Sequence, residues 1–335
     1  MNKQILFTAP NVAELVFIED QPLKPDEVRV RTAVHTMSNG TERANLTGDP
    51  NISCAGKPKV VFPRAVGYSC AGEIIEMGSA VTDFAIGDRV AVSWSKYKAV
   101  NALPAGKVSK LPENVSYEDA AFCHIATFPL AAIRKTRLEI GEPAMVMGLG
   151  ILGMIGVQLL KTAGAAPVIA ADPNPARREK ALTCGADYAL DPFAPDFAEQ
   201  VKSLTGGIKV AIEVTGAGAA LDETLDCMAP LGRVALLGCT RDKNFTIDYY
   251  RKVHGPGISL IGAHTLARPK QESSAGLFTD KDDRESILKL LSLGRLNFRD
   301  LVDETHAPEK CGEVFHRLAF EKDFPCMVQF DWRKQ

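Results

Sequence analysis

The first third of the chain alternates apolar and polar side chains. The stretch "EVRVRTAV" (27–34) has a period of two, and the short apolar runs "AGEIIEMG" (71–78) and "DRVAVSW" (88–94) follow it. Such alternation is typical of strands with one buried face and one wet face. Glycines separate the runs, so we predict short strands joined by turns in a β-rich, partly open barrel.

The middle of the chain has a different pattern, in which short apolar runs alternate with helical periodicity. The predicted strands are "AMVMGLG", "APVIAAD", "VAIEVTG", "RVALLGC" and "ISLIGAH". Helices are predicted in "ILGMIGVQLLKTAG", "PARREKALTCGA" and "ALDETLDCMAPLG", and before them in "SYEDAAFCHIATFPLAAIRKTR", which opens with a Ser-x-x-Asp cap signal. This alternation predicts a parallel, doubly wound sheet and an α/β fold class.

The last part of the chain predicts two amphipathic helices, "DDRESILKLLSLGRL" and "APEKCGEVFHRLAFE", and a closing strand, "CMVQFDW". These elements are more naturally returned to the first domain than left as a third. We therefore predict one domain from residues 1–120 and 265–335, and a second from residues 121–264.

Composition excludes several classes of function. Of the 335 residues, 46% are hydrophobic and 24% charged, with a formal net charge of −2. No basic face or aromatic-basic interleaving occurs, so we expect no nucleic-acid partner. The N-terminus lacks the features of a signal peptide, and "VMGLGILGMIGVQLL" is too short and glycine-rich to span a membrane. We expect a cytoplasmic protein without a membrane partner.

The cysteines are scattered and form no Cys-x-x-Cys pair. A structural zinc site needs clustered thiolates, so we predict none. Scattered cytosolic cysteines mostly act as small buried apolar side chains. The eight are Cys54, Cys70, Cys123, Cys184, Cys227, Cys239, Cys311 and Cys326.

A dinucleotide fingerprint follows the strand "AMVM". Gly148, Gly150 and Gly153 form a Gly-x-Gly-x-x-Gly motif that opens a helix. The first glycine permits a tight turn, the second allows backbone to approach a pyrophosphate, and the third allows close helix–strand packing. Since ligands bind at the carboxyl edge of such a sheet, we assign further residues of the loop and strand ends to the cofactor: Ile151, Leu152, Thr215, Gly238 and Gly262.

The acid after the next strand indicates which nicotinamide cofactor is used. Asp172 stands where a carboxylate would bind ribose hydroxyls and repel a 2′-phosphate, which favours NAD over NADP. Arg177 and Arg178 weaken this preference, because arginines here can hold a 2′-phosphate. We also assign Arg177 to the cofactor site; the alternative for both is a solvated first helical turn.

Five stretches carry a family resemblance. In order, they are "AVGYSCAGEIIEMGSAVTDFAIGDRVAV", "LPENVSYEDAA", "VMGLGILGMIGVQLLKTAGA", "GADYALDP" and "VAIEVTGAGAALDETLDCMAPLGRVALLG". The chain resembles the medium-chain dehydrogenase/reductase superfamily, the alcohol and polyol dehydrogenases, over nearly its full length. The resemblance implies a GroES-like catalytic domain built from both chain ends, an inserted Rossmann domain, a substrate cleft between them, and a homodimer or homotetramer.

The zinc ligands of that family are largely missing. Most alcohol-oxidising members use a cysteine, a "GHE" histidine and a third ligand before the Rossmann domain. Here the cysteine position is Asn39, and the "GHE" stretch reads Gly67, Tyr68, Ser69, so only about His124 could still bind a metal. Zinc needs at least three ligands, usually Cys, His or carboxylate. The resemblance therefore implies a branch without zinc.

Without zinc, side chains must polarise the substrate oxygen and move its proton. Thr41 lies at the family's proton-relay position, and Glu42 lies where an acid orients the site. The "GTE" core is similar to that of zinc-free or zinc-poor relatives of the sorbitol and bacteriochlorophyllide dehydrogenases. We add His124 as a general acid/base and Tyr68 as a hydrogen-bond donor to the catalytic candidates.

Each catalytic candidate has a simpler interpretation. Thr41 could cap the short helix "ERANLTG", His124 could be a core histidine, and Tyr68 could merely fill the space left by the metal. Glu42 could form a solvated pair with Arg43, although the family places a charge inward here.

Four residues are predicted to bind substrate. Trp94 is a candidate wall for a substrate ring, and Lys96 would polarise a carbonyl oxygen unless it is a surface lysine. His264 follows the last strand of the parallel sheet, at its ligand-binding edge. Asn39, at the vacated cysteine position, is the fourth. His35 is expected to be structural.

We predict a zinc-independent, NAD(H)-dependent oxidoreductase that interconverts a secondary alcohol and a ketone. The candidate polar groups favour a small polar substrate such as a polyol, a sugar or a sugar derivative. Two alternatives remain open at this point. One is a zinc-free enoyl or quinone reductase using NAD(P)H, and the other is a non-catalytic NAD(H)-binding redox sensor.

Overall fold

The computed structural model describes residues 1–49, 61–240 and 244–334. The chain divides into two compact units. The discontinuous unit comprises residues 1–125 and 284–335, and the inserted unit comprises residues 126–283. Residues 265–283, which the sequence pattern assigned to the first domain, lie in the inserted unit. There Asp283 pairs with Arg134 at 2.9 Å and with Arg268 at 3.4 Å.

The discontinuous unit is mainly antiparallel sheet. Its strands are β1 (Asn2–Ala9), β2 (Val12–Ile18), β3 (Glu27–Thr36), β4 (Arg64–Ala65), β5 (Ser69–Met77), β6 (Arg89–Ser93), β7 (Val100–Pro104), β8 (Val108–Lys110), β15 (Glu304–His306) and β16 (Val328–Asp331). Its α-helices are α1 (Asn39–Thr47), α2 (Tyr117–Ala120), the start of α3 (Cys123–Thr136), most of α8 (Asp280–Ser292) and α9 (Cys311–Phe320).

The inserted unit alternates strands and helices. Its strands are β9 (Ala144–Met147), β10 (Val168–Ala171), β11 (Tyr188–Leu190), β12 (Ile208–Glu213), β13 (Met228–Leu236) and β14 (Ser259–Gly262). Besides most of α3, its helices are α4 (Ile151–Thr162), α5 (Pro175–Thr183), α6 (Phe197–Thr205), α7 (Gly218–Asp226) and a short π-helical turn at Tyr250–His254.

One sheet of the discontinuous unit has the order β15-β16-β3-β5-β6-β8, with β7 also paired to β3. The apolar side chains on one face of this sheet are completely buried, as the period of two predicts: Val28, Val30, Ile74 and Val90. A second sheet has the order β2-β1-β4. The predicted β-rich architecture of this part is confirmed.

In the discontinuous unit, a separate hydrophobic core forms between β1, α9 and β16. Phe315 of α9 packs against Phe7 of β1 with ring centroids 4.9 Å apart, and Phe330 of β16 lies 5.7 Å from Phe315. All three side chains are fully buried. The amphipathic helix predicted near residues 307–321 therefore forms, and its apolar face closes this core.

The sheet of the inserted unit is parallel, with the order β11-β10-β9-β12-β13-β14. The five predicted strands and the doubly wound class are confirmed. Strand β11 and helix α6 were not predicted. Strand β11 has only three residues, so its pattern is too short to identify, and α6 fell between the quoted runs.

Strand register brings the predicted cofactor residues to one edge of the parallel sheet. Met147 pairs with Ala171 and with Glu213, and Leu236 pairs with Glu213 and with Gly262. These are the last residues of their strands, and the chain leaves all of them in the same direction. The residues that follow must therefore lie at the carboxyl edge, which is the ligand-binding edge of such sheets.

The predicted long helix from residue 116 is interrupted. Ser116 caps α2, since its Oγ accepts the N–H of Asp119 at 3.1 Å. The Asp119 carboxylate also accepts the N–H groups of Phe298 and Arg299, both at 2.9 Å, and the helix restarts at Cys123. The second helical segment therefore carries His124 in its first turn.

In the described part of the chain, no helix has both the length and the apolar character that crossing a bilayer requires. The described cysteines form no disulfide with one another, and all but Cys239 are buried. Cys54 lies outside the described residues.

Candidate active site

The glycine loop has the geometry of a phosphate cradle. Gly148 has a φ of +97°, a conformation that favours glycine. A Cβ on Gly153 would lie 1.9 Å from the Gly148 carbonyl oxygen, whereas one on Gly150 would meet nothing within 4 Å. The loop backbone at Gly148 therefore packs directly on the helix at Gly153, whereas the space next to Gly150 is free for a ligand. Ile151 and Leu152 begin α4 there, and the N–H groups of a first helical turn favour a phosphate.

Asp172 fastens this loop to the end of β10. The side chain is buried, and its Oδ2 accepts the N–H of Leu149 at 2.8 Å while Oδ1 accepts that of Asn174 at 2.9 Å. Each carboxylate oxygen has a second lone pair, so the carboxylate retains acceptor capacity for hydroxyl groups. The loop and the acid fit a dinucleotide with its ribose beside Asp172.

The two arginines after Asp172 differ in what they contact. Arg178 Nη1 donates to the carbonyl oxygens of Asp172 and Pro173 and pairs with Asp191 at 3.3 Å, so this side chain stabilises the turn. Arg177 Nη1 lies 3.8 Å from Asp172 Oδ2, with a third of its side chain exposed. Arg177 is therefore the arginine closer to the predicted ribose position.

The other predicted cofactor residues lie at the same edge of the parallel sheet, and each makes a different kind of contact there. Thr215 donates its N–H and its hydroxyl to Glu213, whose pKa is raised by burial. Gly238 is a packing residue, because a Cβ there would lie 2.2 Å from the nitrogen of Gly216. Gly262 ends β14 in open space, and its carbonyl oxygen accepts a hydrogen bond from Lys135 at 2.9 Å.

His264 lies just beyond Gly262. Its side chain is half-buried, and Nδ1 accepts the N–H of Leu266 at 3.2 Å. Burial, helped by the charge of Lys135, lowers the pKa of His264 and so favours the neutral imidazole. The ring lies just beyond β14, at the predicted ligand-binding edge.

In the discontinuous unit, Tyr68, Trp94 and His124 form a cluster of rings, here called the ring cluster. The Trp94 and His124 centroids are 4.9 Å apart, those of Tyr68 and His124 5.9 Å, and those of Tyr68 and Trp94 6.2 Å. His124 is buried, Tyr68 is half-buried, and Trp94 is 43% exposed. Three residues proposed separately from the sequence thus form one surface with a buried imidazole beneath it.

Backbone contacts fix two members of the ring cluster together. The Trp94 N–H donates to the Tyr68 carbonyl oxygen at 2.7 Å, and the Tyr97 N–H donates to Val66 at 3.0 Å. Asn101 then braces the bend at residues 94–98: its Oδ1 accepts the Lys96 N–H at 2.9 Å, and its Nδ2 donates to the Lys96 carbonyl oxygen at 3.1 Å. Asn101 was not singled out in the sequence, since a lone asparagine in a strand carries no signal.

Glu42 is buried behind this bend. Its Oε1 accepts the Tyr97 hydroxyl at 3.3 Å, and its Oε2 is buried without a hydrogen-bond partner among the described residues. Burial raises the pKa of Glu42 to about 7, although the hydrogen bond from Tyr97 and the charge of Lys96 oppose the shift. The carboxyl group therefore changes protonation near neutral pH.

The neighbours of Glu42 explain its environment. Arg43 is exposed and donates to the Leu318 carbonyl oxygen at 2.8 Å, so Glu42 is the member of the pair that points inward. Lys96 is exposed by surface area, as the surface-lysine alternative expects, although desolvation by the surrounding protein lowers the pKa of its ammonium group and the Glu42 carboxylate opposes this effect. His35 is fully buried, Nε2 lies 3.1 Å from Ser95 Oγ, and burial lowers its pKa to about 3. A neutral His35 fits the expected structural position.

The structure of α1 changes the interpretation of Thr41 as a helix cap and of Asn39 as a substrate-binding residue. Thr41 does not cap the helix, because α1 begins at Asn39 and Ser38 occupies the cap position. Thr41 is half-buried in the first turn, so its hydroxyl relay remains a prediction. Asn39 Nδ2 donates to the carbonyl oxygens of Pro325 at 2.6 Å and Cys326 at 3.0 Å. Its amide nitrogen therefore anchors the segment before β16, which a purely substrate-binding side chain would not do.

The residues at the family's zinc positions do not fit a zinc ion. An amide whose nitrogen is directed at two carbonyl oxygens stands at the cysteine position, and a phenol stands at the histidine position. Across the described ranges, His, Cys, Asp and Glu side chains form no group of three or more that could hold a metal. Tetrahedral zinc requires at least three such ligands.

Comparison with known proteins matches both units. Residues 24–131 match the alcohol dehydrogenase GroES-like domain, and residues 152–277 match the zinc-binding dehydrogenase family. The chain is 30% identical over 321 residues to a D-guloside 3-dehydrogenase of Escherichia coli, covering 90% of this chain and 91% of that protein. The chain belongs to the medium-chain dehydrogenase/reductase superfamily. The present chain is also 30% identical over 301 residues to the sorbitol dehydrogenase of Bacillus subtilis, which covers 80% of this chain and 81% of that protein.

Solved structures agree with the fold of this dehydrogenase. The galactitol-1-phosphate dehydrogenase of Escherichia coli superimposes with a TM-score of 0.85 at 18% identity, over 98% of this chain and 99% of that one. The GroES-like and Rossmann assignments are therefore confirmed. The dehydrogenase is an oxidoreductase that acts on CH–OH donors, and the cofactor class of its relatives is a nicotinamide dinucleotide.

Proposed function

We propose that this dehydrogenase interconverts a secondary alcohol and a ketone on a polyol, sugar or sugar derivative, using NAD(H) and no zinc. The observation that carries the proposal is the ring cluster, in which the buried His124 imidazole lies beneath Tyr68 and the exposed Trp94. Two of its members, Tyr68 and His124, stand where metal-dependent relatives have ligands, and they offer a phenol and an imidazole there.

The proposed chemistry requires two transfers. The carbinol carbon loses its hydrogen as a hydride, and the hydroxyl proton passes to a base on the protein, which leaves a ketone. When bound, the oxidised nicotinamide accepts the hydride. Tyr68 would orient the substrate oxygen by a hydrogen bond, and His124 would take the proton, since histidine suits acid/base catalysis at neutral pH. Lys96 would stabilise negative charge on the oxygen.

Two observations support a polar, hydroxylated substrate. The discontinuous unit places the phenol of Tyr68 in the ring cluster and the ammonium group of Lys96 on the same bend as Trp94, and both groups suit hydroxyl recognition. The relatives include a D-guloside 3-dehydrogenase and a sorbitol dehydrogenase, whose names refer to hydroxylated carbon chains or rings.

The preference for NAD rests on Asp172, whose carboxylate lies at the end of β10 with acceptor capacity for ribose hydroxyls. The absence of a zinc requirement rests on Asn39 and Tyr68, which replace a thiolate and an imidazole with weak ligands. We propose further that the protein acts as a homo-oligomer, as its family usually does.

The test combines a substrate panel with metal analysis. Purified protein is incubated with NAD and a panel of polyols and sugar derivatives while absorbance of the reduced cofactor is followed, before and after treatment with a strong chelator. We expect turnover that survives the chelator and less than about 0.1 zinc per chain. Near-stoichiometric zinc with loss of activity on chelation would contradict the zinc-free claim.

Variants assign the proton step. His124→Ala should lower kcat by at least about a hundredfold, the usual contribution of a general base, while the Kd for NADH stays within twofold. The exposed His316 of the same unit supplies the control, since His316→Ala should leave kcat unchanged. Turnover only with enones or quinones would instead identify a reductase, and tight NADH binding without any turnover would identify a sensor.

A further inference from the structure

Trp94 combines exposure with an unfavourable backbone conformation. It is 43% exposed, and its φ is +62°, in the left-handed region that costs a non-glycine residue about 1–2 kcal/mol. Single exposed apolar side chains are common and need no explanation. A bulky aromatic residue at positive φ is uncommon, and such strain concentrates at ligand sites.

The surrounding contacts hold Trp94 outward. Ser93 and Ser95 on either side are buried; Ser93 Oγ donates to the Lys107 carbonyl oxygen at 3.0 Å, and Ser95 Oγ lies 3.1 Å from His35 Nε2. The Trp94 N–H is fixed to Tyr68 at 2.7 Å. With both neighbours directed inward and the backbone bonded, the indole lies on the surface and contacts the His124 ring at an interplanar angle of 62°.

We propose that Trp94 is a stacking platform for a closed sugar ring, so that the substrate is a cyclic sugar derivative such as a pyranoside rather than an open-chain polyol. This inference rests on the proposed function and specifies its substrate class. An indole offers a large, rigid apolar face, which matches the C–H face of a pyranose ring. An open-chain polyol has no such flat face and exposes hydroxyls on all sides.

The geometry also accounts for the polar half of the substrate. A pyranose ring on the indole presents its hydroxyls at its rim, where the phenol of Tyr68 and the imidazole of His124 lie within 6.2 Å and 4.9 Å of the indole, centroid to centroid. In the proposed reaction, one ring carbinol loses hydride to NAD and its hydroxyl proton to His124. The products are a ring ketone, NADH and a proton, and no C–O bond of the ring breaks.

The first test compares substrates and variants by turnover. The kcat/KM values of methyl hexopyranosides of gluco, galacto, manno and gulo configuration are compared with those of a set of hexitols. At least one pyranoside should have a kcat/KM tenfold or more above that of every hexitol in the set. Trp94→Leu should lower the ratio of kcat/KM for that pyranoside to kcat/KM for the hexitol by about tenfold, which corresponds to about 1.4 kcal/mol. Trp94→Phe, which keeps an aromatic face, should recover most of the loss.

The second test measures binding without turnover. The chain has only two tryptophans, and Trp332 is 7% exposed, so a ligand at the surface changes mainly the fluorescence of Trp94. The full chain, saturated with ADP-ribose as a redox-inert part of NAD, is titrated with the preferred pyranoside and with a hexitol. A saturable change is expected only with the pyranoside. It should persist in Trp332→Phe and vanish in Trp94→Phe; if Trp332→Phe does not fold, the wild type minus Trp94→Phe difference gives the same information.

The outcomes separate this inference from the proposed function. Hexitol oxidation that exceeds all pyranoside oxidation, or a Trp94→Leu variant that slows both classes equally, overturns the stacking platform and leaves the dehydrogenase function intact. A saturable Trp94 signal with pyranosides but no NADH formation supports the platform and contradicts the proposed reaction. Absence of any pyranoside signal in the titration overturns the platform.

Discussion

The Tyr97 hydroxyl donates to Glu42 Oε1 over 3.3 Å, and both side chains are completely enclosed by protein. The pair joins α1 to the bend that carries Trp94 and Lys96. It places a carboxyl group whose pKa is raised to about 7 next to this bend.

Glu42 should make stability depend on pH. Its pKa is raised from 4.5 to about 7, so the folded state holds a proton that the unfolded state releases. This stabilisation is present below about pH 4.5 and is lost as the pH rises through 7. Glu42→Gln should remove this term, so that the variant gains roughly 2–3 kcal/mol relative to wild type between pH 4.5 and pH 8 in urea unfolding.

Glu304 provides the control for Glu42. Its pKa is lowered to about 2 by the hydrogen bond from Arg317, so its stabilising effect is complete above the unfolded pKa and is lost only in acid. Measured in a His306→Gln background, which removes the imidazole 2.7 Å from Glu304 Oε2, Glu304→Gln should therefore shift stability by the same amount at pH 5.5 and pH 8. If Glu42→Gln behaves in the same pH-independent way, Glu42 does not titrate near neutrality.

Asp172 should determine cofactor preference. Asp172→Asn removes the negative charge and keeps one acceptor oxygen for the backbone, so the ratio of kcat/KM for NAD to that for NADP should fall by about tenfold or more. Arg177→Ala should lower only the activity with NADP. Steady-state kinetics with both cofactors measure this, and an unchanged ratio in Asp172→Asn would contradict the assignment.

Asn39 distinguishes an anchor from a substrate ligand. Its amide nitrogen makes two hydrogen bonds to the segment before β16, so Asn39→Ala should lower the free energy of unfolding by about 1–2 kcal/mol and leave KM within twofold. Asn39→Asp should cost more, because a carboxylate would face two carbonyl oxygens. A KM increase of more than tenfold at unchanged stability would support substrate binding by Asn39 instead.

Asn101 should act by positioning. Asn101→Ala removes the hydrogen bonds that brace residues 94–98, and we expect kcat/KM to fall about tenfold, with faster amide hydrogen exchange in that bend. Exchange in β5 should be unchanged. Asn114→Ala, which removes an exposed side-chain contact to Ser292, is the control and should leave both measurements unaltered.

The sequence predicted most of the inserted unit because its signals are local. Gly148, Gly150 and Gly153 stand in a fixed spacing after a strand, and the observed loop has the close helix–strand packing that this spacing implies. Strand β11 was not predicted, since three residues show no measurable period.

The ring cluster could be predicted only in part. Tyr68 and His124 were identified because they fall on ligand positions of a known family, but nothing in the sequence places Trp94 against His124, which lies thirty residues away on a different element. Tyr97 was noted beside Trp94 and Lys96 but given no role, because a single tyrosine after a strand indicates no function by itself. Its hydrogen bond to Glu42 depends on tertiary packing, and so does the pKa of that carboxyl group.

The discontinuous unit is built from two segments that lie far apart in the chain, and this determines the order in which the two units can fold during synthesis on the ribosome. All six strands of the inserted unit have been synthesised by residue 262, whereas Thr36 of β3 has to wait for its partner Gln329. The inserted unit is complete once residue 283 has been synthesised, so it can fold before the discontinuous unit. Until β16 emerges, the end of β3 at residues 34–36 lacks its strand partner, so the nascent chain should depend most on chaperones at that stage.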